Sequence, residues 1–137
     1  MSPFVHEIPV RYADTDAQGH VFFANYFTYF DEAMTGYLHA IGYPPAQMAS
    51  EGVDVVYADA RCSYAGSARF EDRVQVAFSI VKLGNTSLTA DAVARLDGEV
   101  IATGQLIFVC VSTSDMKKTE IPAALRLAVR EFEARQD

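Results

Sequence analysis

The sequence has no tryptophan, only two cysteines and three histidines, and far fewer basic than acidic residues. Lys and Arg number 11 against 18 Asp and Glu, which gives a formal net charge of -7 at pH 7. A chain this acidic lacks the positive field with which proteins hold nucleic acid or an anionic membrane. We therefore expect no nucleic-acid partner and no membrane partner. A polyanionic ligand would have to meet a local cluster of Arg and Lys.

Cysteine and long apolar runs are equally scarce. Cys62 and Cys110 lie in apolar stretches without the spacing of a metal site, which favours buried thiols in a reducing compartment. No stretch approaches the roughly 20 apolar residues of a membrane span, and the first residues lack a basic segment followed by an apolar one. We expect a cytoplasmic protein with no metal and no cofactor, folded as a single domain over residues 1–137.

Hydrophobic periodicity predicts an α+β fold. Alternation predicts strands at 4–12, 53–64, 73–80, 86–96 and 99–112, whereas helical spacing predicts a long helix from about residue 24 to 42 and a C-terminal helix at 119–135. Pro122 is expected in the first turn of that last helix. Asp97–Gly98 predicts a two-residue hairpin, because both positions must tolerate positive φ.

This order predicts one antiparallel sheet and one apolar helix for it to wrap around. One face of the sheet would bury the helix, and the other face would carry an apolar set that needs its own cover. The members of that set are Ile101, Ile107, Val109 and Val111. Dimerisation is the simplest cover, so we expect a homo-oligomer.

A polar segment directly before the long helix concentrates the candidate chemistry. It carries Asp14, Asp16, Gln18, Gly19 and His20. The free N–H groups and the positive dipole end of a helix N-terminus favour a developing negative charge. A carboxylate at this place is either a helix cap, which stabilises by roughly 1 kcal/mol, or a catalyst. The spacing alone leaves both interpretations open.

Three motifs carry a resemblance to a known family. They are Tyr12-x-Asp14-Thr15-Asp16-x-x-Gly19-His20-Val21-x-x-x-x-Tyr26, then Phe30-Asp31-Glu32-Ala33, and later Tyr64-x-x-x-Ala68-Arg69-Phe70-x-Asp72. Over nearly its whole length the chain resembles the hot-dog-fold acyl-CoA thioesterases of the 4-hydroxybenzoyl-CoA thioesterase and YbgC type. The resemblance implies a long central helix wrapped by a five-stranded antiparallel sheet. It also implies a homodimer through paired sheets, often a homotetramer, with active sites at the subunit boundary.

The resemblance assigns roles within the first motif. Asp16 matches the family's carboxylate, which acts as nucleophile or general base on the thioester of an aryl- or fatty acyl-CoA or acyl-carrier protein. Phe23 stands where the family has a Tyr whose backbone N–H polarises the thioester carbonyl, and where the YbgC branch has a His. The backbone N–H remains here, but an imidazole at that position is absent. Asp16 and His20 are also similar to positions of plant acyl-ACP thioesterases, in which an Asn stands at Gln18.

Further residues are predicted around this centre. Gln18 and Tyr26 are expected to contact substrate, and the pantetheine and nucleotide are expected to meet a set of small residues and one cation, which are Ser63, Gly66, Ser67 and Arg69. Arg69 either binds phosphate or pairs with Glu71 or Asp72. Lys117 and Lys118 are an alternative phosphate clamp.

Other polar residues carry weaker expectations. His20 either assists Asp16, orients a water molecule or bonds the loop backbone. Asp14 is expected to form a turn or to pair with Arg11, and Glu32 is a reserve carboxylate, because a related branch of hot-dog thioesterases uses a helical Glu. His6 and His39 are expected on a strand face and a helix surface, respectively.

Two other classes of function stay open on the same fold. Some hot-dog hydratases and dehydratases use an Asp-x-Asn-x-x-His arrangement, but here the spacing is shorter and Gln18 replaces Asn. The chain also has no second His near a Gly-Pro-rich loop. A non-catalytic acyl-CoA binding module would keep the pocket without needing Asp16.

Overall fold

The computed structural model describes residues 4–135. Its strands are β1 (Val5–Pro9), β2 (Val53–Tyr64), β3 (Arg73–Leu83), β4 (Ser87–Leu96) and β5 (Glu99–Ser112). Its helices are α1 (Asn25–Ala40), α2 (Pro45–Ser50) and α3 (Ala123–Ala134), with a 3-10 turn at Tyr12–Asp14. The strands form one antiparallel sheet in the order β1-β3-β4-β5-β2.

Helix α1 lies on one face of this sheet and forms the core with it. The α1 residues that are buried recur at helical spacing, and they are Tyr26, Tyr29, Phe30, Ala33, Tyr37 and Leu38. At Gly104 of β5, a Cβ atom would lie 2.5 Å from Cε2 of Phe30, so glycine lets the helix approach the sheet closely. The predicted α+β fold, with a long helix wrapped by five antiparallel strands, is confirmed.

The hairpin between β4 and β5 follows the prediction made from its two turn residues. Asp97 has φ 51° and Gly98 has φ 82°, so both adopt the left-handed conformation. The flanking strands pair from Leu96 and Glu99 onward. Asn, Asp and Gly are the residues that adopt positive φ most readily, which is why this turn is legible in the sequence.

Two element boundaries differ from the sequence prediction. The first strand ends at Pro9 instead of Tyr12, because the partner segment turns at Glu71, which has φ 71°, and residues Tyr12–Asp14 form a 3-10 turn. As a result Tyr12 is 77% exposed and does not share a buried face with Ile8. The last helix begins at Ala123, with Pro122 as its N-cap, because the preceding amides of Thr119 and Ile121 donate to the carbonyls of Cys110 in β5 and Asn85 in the β3–β4 turn.

The outer face of the sheet needs less cover than the sequence predicted. Ile101 and Val111 are buried by the chain itself, at 5% and 4% exposure. The Gly66 turn packs on Ile101, and the segment at Lys118 forms a bridge to Val111. Ile107 and Val109 stay partly exposed in the described part of the chain.

The two edge strands differ in length. The β1 edge has 5 residues and ends in a proline, whereas the β2 edge has 12 residues.

Both thiols, Cys62 and Cys110, are free. Within residues 4–135, no helix combines the length and apolarity that a membrane crossing requires.

Candidate active site

The segment between the 3-10 turn and α1 forms a tight hairpin with Asp16 near its tip. Thr15 and Val21 pair across it, and the Asp16 amide donates to the His20 carbonyl at 3.0 Å. The Gly19 amide closes the turn on the Asp16 carbonyl at 2.9 Å. Gly19 has φ 86°, a conformation that other residues adopt with strain, so this turn depends on glycine.

The Asp16 carboxylate is held at one oxygen only. Its Oδ1 accepts the Gln18 amide at 2.9 Å, and its Oδ2 accepts no hydrogen bond from residues 4–135. The side chain is partly exposed and lines an open groove of about 490 Å³. The groove residues are Tyr12, Thr15, Asp16, Ala17, Gly19 and Phe70. One oxygen of Asp16 is therefore available to a ligand in the groove.

The first turn of α1 lacks a capping side chain. Ala24 is the N-cap residue, and its methyl side chain cannot accept a hydrogen bond from the helix amides. The amides of Asn25, Tyr26 and Phe27 each donate to a carbonyl three residues earlier. Among the described residues, no acceptor meets the amides of Phe23 and Ala24. A free N–H group at a helix N-terminus is the kind of donor that stabilises an oxyanion, and Phe23 is the position that the sequence predicts for it.

The Phe23 peptide is fixed from its carbonyl side. The Tyr64 hydroxyl, at the end of β2, donates to the Phe23 carbonyl at 2.9 Å. The rings of Phe23 and Tyr64 also meet edge to face, with centroids 6.2 Å apart. This contact orients the peptide that joins Phe23 to Ala24, and it leaves the Phe23 ring 59% exposed.

His20 does not contact the Asp16 carboxylate in this structure. Its Nδ1 lies 3.5 Å from the Val21 carbonyl oxygen, which is the hydrogen-bond contact of the imidazole within residues 4–135. Its backbone pairs with Asp16 and forms a bridge with Arg69. Of the roles considered from the sequence, bonding to the loop backbone is the one that matches this geometry, and a catalytic role stays a prediction.

Arg69 lies directly behind the Asp16 hairpin. Its Nη1 donates to the Gly19 carbonyl at 3.3 Å, and its own amide donates to the Asp72 carboxylate at 2.8 Å. The guanidinium is exposed and pairs with no carboxylate among the described residues. The alternative of an ion pair with Glu71 or Asp72 is therefore not what the side chain adopts, and the phosphate role stays a prediction.

The other predicted binding residues are spread over different surfaces. Tyr26 is buried in the core, where its hydroxyl accepts the Ala68 amide at 3.2 Å. Gln18 and Ser67 are exposed, Gly66 packs on Ile101, and Ser63 lines a separate cavity of about 200 Å³ beside β5. The structure thus brings Gln18 and Arg69 to Asp16, whereas Tyr26 and Ser63 lie elsewhere within one chain.

The remaining candidates lie away from the groove. Glu32 lines a separate pocket of about 190 Å³ between β1 and α1, together with His6 and Arg11. Lys117 and Lys118 follow the last residue of β5, while the Tyr64 end of β2 pairs with the start of β5. Ten residues of β5 separate these ends, which at about 3.3 Å per residue is about 33 Å.

Two exposed aromatic side chains that line the groove were not predicted from the sequence. Tyr12 and Phe70 meet edge to face with centroids 5.8 Å apart and are 77% and 50% exposed. Both belong to the quoted motifs, so their large aromatic side chains beside charged residues were an available signal. Exposed rings beside a carboxylate commonly mark a binding surface.

Asp14, two residues before the groove carboxylate, is the buried charged residue of this region at 4% exposure. Arg11 binds it through its backbone amide at 3.0 Å and its Nη2 at 2.9 Å, as one of the two sequence interpretations expected. Burial alone would raise the pKa of Asp14, but hydrogen bonds from Arg11 and Tyr29 outweigh it and lower the pKa below its usual value. Asp14 is thus ionised and fully bonded, unlike Asp16.

Comparisons with known proteins agree with this geometry. The model of the family described as "Thioesterase-like superfamily" matches residues 10–129. The chain is similar to the Acyl-CoA thioester hydrolase YbgC of Escherichia coli, with 27% identity over 120 residues that cover 85% of this chain and 90% of YbgC.

Solved structures show the same likeness. A hypothetical protein from Aquifex aeolicus superimposes with a TM-score of 0.87 at 28% identity, over 93% of this chain and 99% of its own. The BH1999 gentisyl-coenzyme A thioesterase gives a TM-score of 0.82 at 28% identity, with the same coverages. The family model covers most of this chain, and the chain has the fold of these thioesterases. The chain therefore belongs to the thioesterase-like superfamily.

Proposed function

We propose that this thioester hydrolase cleaves aryl- or fatty acyl-CoA, or an acyl-carrier-protein thioester, with Asp16 as the catalytic carboxylate. The observation that carries the proposal is the pairing of two unsatisfied groups on one short segment. Among residues 4–135, no group bonds one oxygen of Asp16 in its open groove, and no acceptor meets the Phe23 amide, seven residues on. Relatives named as acyl-CoA and gentisyl-CoA thioesterases support the reaction class.

The chemistry follows from these two groups. The Phe23 N–H would hold the carbonyl oxygen of the thioester, where negative charge grows in the transition state. Asp16 would act as nucleophile or as general base. As nucleophile, its oxygen attacks the carbonyl carbon, the C–S bond breaks with loss of the thiolate, and water then hydrolyses the mixed anhydride. As general base, it takes a proton from the water that attacks the carbonyl carbon, and the C–S bond then breaks with loss of the thiolate, which the protonated carboxyl can reprotonate.

We assign binding of the CoA portion of the substrate to Arg69, which lies beside the Asp16 hairpin. Arg69 is exposed, forms no ion pair with any described residue and lies against the Gly19 carbonyl at the groove. A guanidinium in this position can meet a phosphate of CoA with two N–H donors. Tyr12 and Phe70 offer apolar surface at the same groove, which suits an aryl or adenine ring.

Thiol release from benzoyl-CoA, butyryl-CoA and palmitoyl-CoA tests this proposal. Asp16→Asn is expected to lower kcat by about 10²–10⁴-fold, because it removes the nucleophile or base while keeping the side-chain shape. Asp91→Asn, on the outer face of β4, is the matched control and is expected to keep wild-type turnover. Full activity in Asp16→Asn would show that the carboxylate is not catalytic.

The same panel separates the other classes of function. Hydration of crotonyl-CoA without thiol release would identify a hydratase. Binding of benzoyl-CoA by both wild type and Asp16→Asn, with no turnover of any thioester, would identify a binding module.

We also propose that the long β2 edge pairs with the β2 edge of a second copy, giving a homodimer and, through further contacts, a homotetramer. An unpaired 12-residue edge is a ready template for strand pairing. Ala58 sits in a β-bulge and has no partner residue in β5. Ala58→Pro is therefore expected to leave the β5 ladder intact and to shift the mass in sedimentation equilibrium towards the 15.0 kDa monomer. Ala58→Ser, which keeps the N–H, is expected to stay oligomeric.

A further inference from the structure

Asp14 is bonded on every side although it takes no place in the groove. Its carboxylate accepts the Arg11 amide, the Arg11 guanidinium and the Tyr29 hydroxyl, the last at 2.9 Å. It lines the pocket between β1 and α1, and the groove around Asp16 does not include it. Burying a carboxylate is costly unless it is paired and hydrogen-bonded, so a buried and fully bonded Asp calls for a specific role.

The backbone of Asp14 joins the two ends of the segment from Asp14 to Asn25, which contains both Asp16 and Phe23. Its carbonyl oxygen accepts the Phe22 amide at 2.9 Å and the Asn25 side-chain amide at 2.9 Å. Phe22 precedes Phe23 directly, and Asn25 is the first residue of α1. The start and the end of the segment that runs from Asp14 to Asn25 therefore meet at a single residue.

This arrangement connects the two proposed reacting groups, the Asp16 carboxylate and the Phe23 amide, through Asp14. Asp16 follows Asp14 by two residues along the chain, and the Phe23 amide follows the Phe22 amide that Asp14 holds. Tyr29 lies one turn further along α1 and ties the Asp14 carboxylate to the rigid helix. We infer that Asp14 and Tyr29 are positioning residues that keep the Asp16 carboxylate in register with the Phe23 amide. The inference rests on the proposed function.

The same helix offers a contact of the same chemistry that should not affect catalysis. Near the C-terminal end of α1, buried Tyr37 donates to the Glu133 carboxylate of α3 at 2.5 Å. Tyr29→Phe and Tyr37→Phe each delete one hydroxyl that donates to a carboxylate from a buried position on α1. A purely structural role predicts that both substitutions lower the melting temperature and leave kcat unchanged.

Steady-state thiol release from benzoyl-CoA, butyryl-CoA and palmitoyl-CoA by wild type and both variants distinguishes the two roles. Tyr29→Phe is expected to lower kcat by about tenfold to one-hundredfold, because a displacement near 1 Å is enough for such a loss, with little change in KM. Tyr37→Phe is expected to keep the wild-type kcat. Asp14→Ala should lose more kcat than Asp14→Asn, because Asn retains one acceptor oxygen for Tyr29 and Arg11.

Hydrogen exchange supplies a readout that is independent of turnover. The Phe22 amide, which Asp14 holds, is expected to exchange about tenfold faster in Tyr29→Phe than in wild type, and to keep its rate in Tyr37→Phe. Equal kcat and equal Phe22 exchange in the two tyrosine variants would overturn the positioning role and leave the proposed function intact. Full activity in Asp16→Asn would instead overturn the proposed function, and the positioning role with it.

Discussion

The two ends of helix α1 are closed in different ways, although both carry a tyrosine bonded to a carboxylate. At the C-terminal end, Tyr37 donates to Glu133 and is surrounded by the rings of Phe4, Phe78 and Phe132. The ring contacts and the hydrogen bond together bury Tyr37 completely. This end of the helix is a packed core.

The N-terminal end buries its tyrosine but leaves the surrounding groups open. Tyr29 donates to Asp14, while the nearby rings of Phe22 and Phe23 stay 43% and 59% exposed. The Phe23 and Ala24 amides have no acceptor within residues 4–135. The first N–H groups of a helix are left for water or a ligand to bond, and adjacent exposed rings are unusual on a free surface, so their concentration at one end of the helix indicates a surface shaped for a ligand.

Removing the Phe23 N–H tests whether the N-terminal end of α1 takes part in catalysis. Phe23→Pro deletes the proposed oxyanion donor and is expected to lower kcat by about 10²–10³-fold, the usual loss for such a donor. Ala24→Pro is the matched change, because Ala24 has φ −69°, which proline adopts without strain. It is expected to keep most of the activity. Thiol-release kinetics and circular dichroism of both variants measure the effect and the fold.

The opposite pattern would reassign the donor. If Ala24→Pro abolished turnover and Phe23→Pro retained it, the oxyanion would be held by the Ala24 amide. If both variants kept full turnover, the helix N-terminus would have no role in catalysis.

The sequence predicted the structural features that depend on residues close to one another in the chain. The long helix, the alternating strands and the Asp97–Gly98 hairpin follow from side-chain periodicity and from positive φ, and each is confirmed. The position of Asp16 before α1 follows from the motif spacing in the same way. The predictions that failed depended on partners far along the chain. The first strand stops at Pro9 because its partner segment turns at Glu71, which nothing near Pro9 reveals.

The contacts that organise the site were hidden for the same reason. Tyr29 has the spacing of a core residue, and its hydroxyl partner, Asp14, precedes it by 15 residues. The Arg69 guanidinium meets the Gly19 carbonyl across 50 residues, whereas the sequence favoured neighbouring carboxylates as the alternative to phosphate. A periodic pattern shows which face is buried, but it does not show which buried polar groups meet.

The N-terminal end of α1 should also contribute a smaller, pH-dependent part of the unfolding free energy, through Asp14. The pKa of Asp14 is lowered in the folded protein, so its ionised form stabilises the fold. This contribution is complete above the pKa that Asp14 has in the unfolded chain, and it is lost as the pH falls through the lower pKa of the folded state. Denaturant unfolding of wild type and Asp14→Asn at pH 7 and at progressively lower pH should therefore show a difference in unfolding free energy that narrows with acid.

The difference between wild type and Asp14→Asn reports on the Asp14 carboxyl alone, because the other carboxyl groups that titrate in the same pH range are present in both proteins. Tyr29→Phe removes one of the hydrogen bonds that lower the Asp14 pKa, so its own difference from wild type should narrow over the same acidic interval. An NMR titration of the Asp14 carboxyl should show a midpoint below the usual aspartate value in wild type and a higher one in Tyr29→Phe. A constant difference between wild type and Asp14→Asn at every pH would show that the open end of α1 is not held by this charge. The contrast with the packed end would then rest on the amides and exposed rings alone.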